Sequence, residues 1–238
     1  MRILVDAMGG DNAPLEIVKG AMRAKSELGL DVTLVGQKEA IFSCLDGTEK
    51  DAVRIVDARE VITMEDDPST ATRRKKDSSM AVALRMLKDG EGDAVVSAGS
   101  TGALLTGATL TVKRIHGIRR AALAPVLPAG EHGVMLKTTE GTIQFIMKAL
   151  KETFYKSTKN KLAAAVLKND LAEMKRSMDP NEVGGTALVG ISKPVIKAHG
   201  SSNADSFFAA IRQAKQFAES GFIEDIEANI DYMRLKTE

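Results

Sequence analysis

The sequence predicts a three-layer α/β fold around a mostly parallel sheet. Three observations predict it. Short apolar runs (Arg2 to Val5, Val32 to Val35, Val53 to Val56) alternate with helical patterns, the order that parallel strands need for their crossovers. The runs are mostly apolar (Ile3-Leu4-Val5, Leu34-Val35, Ile55-Val56) rather than strictly alternating, as in strands buried on both faces. The chain has 238 residues, 44% hydrophobic, 4% aromatic and without Trp, which gives an aliphatic core for one large α/β domain or two small ones.

The first run ends in Asp6-Ala7-Met8-Gly9-Gly10-Asp11. Gly9 and Gly10 permit a tight turn and close approach to a ligand. Asp6 and Asp11 read either as turn and capping groups or as a carboxylate pair at the carboxyl end of a strand, where open α/β sheets place their sites. Pro14 suits the first turn of a helix, with Asn12 or Ala13 before it, running to about Leu28, with Ile17, Ala21, Ala24 and Leu28 on one face. Gly36 closes the second strand. A helix near Lys38 to Leu45 and the strand at Val53 follow.

Asp57 to Asp77 breaks the alternation. Met64-Glu65-Asp66-Asp67-Pro68 is acidic and turn-like. Arg73-Arg74-Lys75-Lys76 reads as a solvated surface, or as a patch for an anionic substrate or an acidic partner. Ser78 or Ser79 caps a helix from Met80 to Lys88.

Asp93 to Leu105, DAVVSAGSTGALL, is a buried strand, a loop of small residues and the start of a helix. The first amides of such a helix lack intrahelical acceptors and point into the loop. Ser97, Gly99, Ser100, Thr101 and Gly102 therefore read as an anion-holding loop, the plainer alternative being an ordinary capped turn. The helix extends to about Ile115, with His116-Gly117 as its end signal, and Ala122 to Pro128 reads as a strand with prolines at its edges.

The second half opens with two amphipathic helices, Thr142 to Tyr155 and Lys161 to Met178. The second carries Leu162, Val166, Leu167 and Leu171 on its apolar face among many lysines. Such a hairpin packs on a partner subunit or the core, and a basic one also suits an anionic membrane surface. Val195, Ile196 and Ala198 form a strand that delivers His199-Gly200-Ser201 into a loop ahead of a helix from Ala204 to Phe217. His199 reads as a general base, a phosphate ligand or a structural histidine. Ile223 to Glu238 reads as a charged helix or a frayed tail.

With 33 basic and 32 acidic residues, the charge balance argues against a general nucleic-acid binder. The single cysteine, Cys44, excludes an intrachain disulfide, fits a reducing compartment, and between Phe42 and Leu45 reads as a packed thiol. The absence of a signal-peptide pattern and of a membrane-length apolar run leads us to expect a cytoplasmic protein.

The motifs VDAMGGDNAP (Val5 to Pro14), RRKKDSSM (Arg73 to Met80), SAGSTGALL (Ser97 to Leu105), ALAPVLP (Ala122 to Pro128), LKTTEG (Leu136 to Gly141), KLAAAVLK (Lys161 to Lys168) and PVIKAHGSS (Pro194 to Ser202) together resemble the PlsX family of bacterial phosphate acyltransferases. The resemblance implies transfer of a fatty acyl group from acyl carrier protein to inorganic phosphate, giving acyl phosphate for phospholipid synthesis. It also implies a fold similar to phosphotransacetylases and isocitrate dehydrogenases with a protruding helical hairpin, a homodimer, and peripheral contact with the inner face of the membrane. Attack of phosphate on a thioester needs positioning and charge stabilisation, so no metal and no organic cofactor is expected. Phosphate would sit on Ser97, Gly99, Ser100, Thr101 and Gly102 beside Asp6, Gly9, Gly10 and Asp11. Arg73, Arg74 and Lys75 would stabilise charge, and Lys137, His199 and Ser201 would line the pocket.

The resemblance breaks in one place. After ALAPVLP the family continues through a long central segment with loop motifs of the DVGAN, NVG and DGFxGN kinds. Here Pro128 is followed by Ala129-Gly130-Glu131-His132-Gly133, and the chain resumes at Val134. The expected organisation is an N-terminal α/β part (1–128), a junction (129–133) and a C-terminal part (134–238) with its hairpin at about 142–178. Two alternatives to the acyltransferase follow: an inactive derivative that keeps dimerisation and membrane contact, and a phosphotransacetylase acting on coenzyme A thioesters.

Overall fold

The structure is a computed structural model and describes residues 1–125 and 184–233. The described strands are β1 (Arg2–Asp6), β2 (Asp31–Gly36), β3 (Arg54–Asp57), β4 (Ala94–Ser97), β5 (Ala122–Pro125), β6 (Gly185–Val189) and β7 (Val195–Ala198). They form one sheet in the order β3-β2-β1-β4-β7-β6-β5. The five strands from β3 to β7 are parallel, and β6 runs antiparallel to both β7 and β5. The expected three-layer, mostly parallel fold is the one observed, and strands from both sides of residues 126–183 share its sheet.

The described helices are α1 (Leu15–Leu28), α2 (Lys38–Cys44), α3 (Glu49–Ala52), α4 (Ala71–Arg74), α5 (Ser79–Lys88), α6 (Thr101–Thr111), α7 (Ala204–Glu219) and α8 (Phe222–Met233). Successive side chains of a strand point to opposite faces, so each buried strand feeds two cores. Ile3, Val5, Val96 and Ile196 meet Ile17, Ala21, Phe207 and Ile211 of α1 and α7 on one face. Leu4, Val95 and Val195 meet Leu84, Leu87 and Leu104 of α5 and α6 on the other.

Several boundaries differ from expectation. Pro14 precedes the first residue of α1 with no side-chain cap, and the Asn12 amide ahead of it donates to the Ser201 and Ser202 carbonyls, both at 3.2 Å. Ser78 caps α5 as expected, accepting from the Ala81 N–H at 3.3 Å. Helix α6 ends at Thr111 rather than near Ile115. Lys113 takes a left-handed φ of 78° and its N–H closes on the Ala108 carbonyl at 3.0 Å, so His116-Gly117 lies in a later turn. Ile115 is freed to pack with Ile223 and Ile226 of α8, which makes the C-terminal segment a docked helix. Among the described residues no helix is long and apolar enough to cross a membrane. The junction 129–133 and the hairpin at about 142–178, including Leu162, Val166, Leu167 and Leu171, lie outside the described residues.

Helices α1 and α7 are in close contact at Gly20. A Cβ there would lie 2.7 Å from the Ala204 carbonyl oxygen and 3.1 Å from Phe207 Cβ. In an unobstructed helix interior Gly→Ala stabilises by about 1 kcal/mol. Here the obstruction includes backbone, so Gly20→Ala is expected to destabilise, by about 1–3 kcal/mol. A lower urea midpoint at unchanged m-value would show it, and a raised midpoint would contradict the tight α1–α7 contact.

Candidate anion site at the carboxyl ends of β1, β4 and β7

Strand order reverses at β1: the chain first builds outward through β2 and β3, then returns to place β4 on the other side. The crevice of such a sheet opens between the two strands where the direction changes, outside their carboxyl ends. Those ends here are Asp6-Ala7-Met8-Gly9-Gly10 after β1 and Ser97-Ala98-Gly99-Ser100 at β4, with His199-Gly200-Ser201 of β7 alongside.

Register places three polar residues side by side on the last rung. Asp6 pairs with Ser97 across β1 and β4, and Ser97 pairs with Lys197 across β4 and β7. All three side chains leave the sheet on the face covered by α5 and α6, because their neighbours Leu4, Val95 and Val195 belong to that core. They are buried: Asp6 is 1% exposed, Ser97 0% and Lys197 8%. Ser97 Oγ donates to Asp6 Oδ2 at 2.6 Å and accepts from the Gly99 N–H at 3.1 Å. The Lys197 ammonium donates to the Ala98 carbonyl at 3.2 Å and to that of Ala198.

Burial is the largest influence on both charges. It pushes the Asp6 carboxyl up from its ordinary 3.8, opposed by Ser79, Ser97, the Met8 amide and the charge of Lys197. Asp6 Oδ1 nevertheless has no hydrogen-bond partner within bonding distance. Burial also pushes Lys197 down from 10.5 to about 8, opposed by the attraction of Asp6 and Asp11.

The walls of the crevice are bare backbone. A Cβ on Gly9 would lie 2.6 Å from Asp6 Oδ2 and 2.7 Å from the Gly99 nitrogen. Gly10 has φ of 108°, and a Cβ there would lie 3.0 Å from the Gly200 oxygen. The Asp11 N–H donates to the Gly200 carbonyl at 2.8 Å and ties the β1 loop to the β7 loop. Beyond Ser97, the helix begins sooner than the sequence suggested. Ser97 is the last strand residue, Ser100 caps α6 by accepting from the Ala103 N–H at 3.4 Å, and Thr101 and Gly102 are the first helical residues. Gly102 packs under Pro68, where a Cβ would lie 2.8 Å from Pro68 Cβ.

The structure thus brings Asp6, Gly9, Gly10, Asp11, Ser97, Gly99, Ser100, Thr101, Gly102, His199 and Ser201 to one edge of the sheet. The Gly99 N–H is taken by Ser97, so the amides left for a ligand are those opening α6. The His199 ring turns to its own loop: Nδ1 accepts from the Ser201 N–H at 3.3 Å and lies 2.8 Å from Ser201 Oγ. Arg73 and Arg74 stand exposed on α4, while Lys75 is tied down by Asp66 Oδ2 at 2.6 Å and the Val61 carbonyl at 2.8 Å. Lys137 lies outside the described residues. Sequence reading missed Lys197. Its signal was there: a lysine inside the run Pro194 to Ala198, whose strand has no solvated face, must find buried partners.

The family described as fatty acid synthesis protein matches residues 1–134 and, in a second piece, 132–225. The phosphate acyltransferase of Desulfitobacterium hafniense (strain DSM 10664 / DCB-2) is 35% identical over 326 aligned positions, spanning 97% of this chain and 98% of that protein. The phosphate acyltransferase of Thermoanaerobacterium thermosaccharolyticum is 34% identical, spanning 97% of each. The first alignment has 326 positions against 238 residues here, so at least 88 positions of that relative face no residue of this chain. A solved phosphotransacetylase from Streptococcus pyogenes superposes with a TM-score of 0.50 at 17% identity, covering 91% of this chain and 93% of its own, and shares the fold.

The buried carboxyl gives a pH signature. Asp6 titrates above 3.8 in the folded chain and near 3.8 in the unfolded one, so between those values the native state holds the extra proton. Stability contributed by that proton is lost as pH rises through the window. Asp6→Asn keeps an acceptor for Ser97 and has no such slope. Wild-type stability relative to Asp6→Asn is therefore expected to fall as pH is raised from 3.8 toward neutrality, measured by urea unfolding. A difference that stays constant with pH would show that burial does not raise Asp6.

Proposed function

The chain belongs to the fatty acid synthesis protein family, and from that premise we propose that it is an acyltransferase that moves a fatty acyl group from a thioester to inorganic phosphate, giving acyl phosphate for phospholipid synthesis. The observation that carries the reading is the crevice between β1 and β4, with the amino end of α6 at its mouth and Gly9, Gly10 and Gly99 as its walls. Tetrahedral oxyanions suit such a place, because the first helical amides and the helix dipole favour negative charge. Amides of Thr101 and Gly102 and the hydroxyls of Ser100 and Thr101 supply donors.

Held there, one phosphate oxygen attacks the thioester carbonyl carbon. The C–O bond forms, the C–S bond breaks, and the sulfur leaves as thiolate. The protein's part is to position the two reactants and to stabilise charge on phosphate and on the tetrahedral intermediate. Arg73 and Arg74 add positive charge at long range, and His199, Ser201 and Lys137 are the further pocket groups of this reading. The phosphate acyltransferase relatives support phosphate as acceptor; acyl carrier protein as donor rests on the family resemblance. The same holds for a homodimer and for attachment to the inner face of the membrane through Leu162, Val166, Leu167 and Leu171. A second reading, an inactive derivative, draws on the alignment positions that this chain lacks.

The test is phosphate-dependent loss of acyl carrier protein thioester by protein whose intact mass is checked in the same sample, with coenzyme A thioester run in parallel. Turnover at 25.4 kDa supports the acyltransferase. No turnover at that mass supports the inactive derivative, and preference for coenzyme A supports a phosphotransacetylase. In an active chain Gly9→Ala is expected to lower turnover about a hundredfold, since its methyl would push Gly99 out of line; unaltered kinetics would remove the β1 loop from the site. Leu167→Glu is expected to abolish sedimentation with anionic vesicles while leaving turnover in detergent-free solution intact. Undiminished sedimentation would end the membrane role of the hairpin.

A further inference from the structure

The Ala98–Gly99 peptide group is clamped at both ends by the polar rung. Its carbonyl accepts from Lys197 at 3.2 Å, and its N–H donates to Ser97 Oγ at 3.1 Å, which is itself held by Asp6 at 2.6 Å. This peptide is the step between strand β4 and the capped start of α6. Next to glycine a peptide plane is free to rotate, because no Cβ restricts it. Whatever fixes this plane fixes the direction in which the following amides enter the helix. No other role is visible for a lysine that is 8% exposed and sits in a central strand.

We propose that Lys197 is a positioning residue of the anion site: its ammonium, in register with Ser97 and Asp6, holds the Ala98 carbonyl beneath the crevice and thereby directs the opening amides of α6 at a bound tetrahedral oxyanion. The inference rests on the proposed anion site and deepens it. An ammonium does this better than a neutral donor. It holds the carbonyl by a charge-assisted bond, and it balances Asp6 below while a dianion binds above. The charges that face it are Asp6 on β1 and Asp11 in the loop after β1; His199 is exposed and bonded to Ser201.

The consequence is oxyanion affinity linked to the charge of Lys197. With the lysine titrating at about 8, roughly nine-tenths of the sites carry the ammonium at pH 7 and about 3% at pH 9.5. Isothermal titration of the full chain with sulfate, whose charge is constant over this range, and with phosphate reads the effect directly. Wild-type affinity for sulfate is expected to fall about thirtyfold between pH 7 and 9.5 if only the ammonium form is competent. Lys197→Met is expected to bind weakly at every pH, with a flat profile, at an unfolding midpoint that shows it is folded. Should Lys197→Met not fold, the wild-type profile alone decides, together with Lys197→Gln, which keeps a donor without the charge and is expected to be flat as well. A pH-independent wild-type affinity, or a Lys197→Met variant with wild-type affinity and profile, overturns the inference. Wild-type protein that binds neither anion overturns the anion site and the inference together. Anion binding with the expected profile but no thioester turnover overturns only the acyltransferase reading.

Discussion

The interaction on which the rest of the site depends is the buried rung Asp6–Ser97–Lys197. Two opposite charges lie there in a sheet whose neighbouring positions are Ile, Leu and Val. Taking either out of water alone would cost several kcal/mol, and each is made tolerable by the other and by the hydrogen bonds around it. The rung exists because β4 is inserted between β1 and β7 with one register: a slip of one residue would turn all three side chains to the opposite face. The polar rung and the topology therefore specify each other. Only the order in which β4 returns beside β1 creates the crevice, and only that register puts the charges beneath it.

Everything above the rung is made small so that backbone reaches the crevice. Met80 lies beneath Gly99, where a Cβ would be 2.8 Å from its methyl carbon, and Asp6 lies beneath Gly9. The three loops are fastened to one another by backbone: Asp11 to Gly200, and Asn12 to Ser201 and Ser202. Fastened loops lose little further entropy on binding a small anion, which is how preorganised dipoles stabilise charge at low cost.

The architecture was readable because buried strands leave mostly apolar runs and small-residue loops stand out between them. Val32 to Val35, Ser97 to Gly102 and the strand ahead of His199 could be placed on that basis. Boundaries were less readable where a side chain had two possible uses. Asn12, placed only as a residue ahead of Pro14, bridges to the β7 loop, and Gly99, placed in an anion-holding loop, gives its N–H to Ser97. The run Pro194 to Ala198 shows locally that Lys197 needs buried partners, but only the strand order shows that these lie beside Ser97, one strand away, and Asp6, two strands away. Exposed basic residues such as Arg73 and Arg74 attract attention for charge that is visible, whereas a buried cation such as Lys197 does not.

The two pieces that match the family meet at residues 132–134, between the segment that supplies β1 and β4 and the segment that supplies β7. The rung is assembled across that junction: Asp6 and Ser97 come from the first piece and Lys197 from the second. Strand β7 pairs directly with β4, and α7 covers both with Phe207 and Ile211 against Val96 and Ile196. The register of the rung is therefore set by pairing between strands from the two matched pieces.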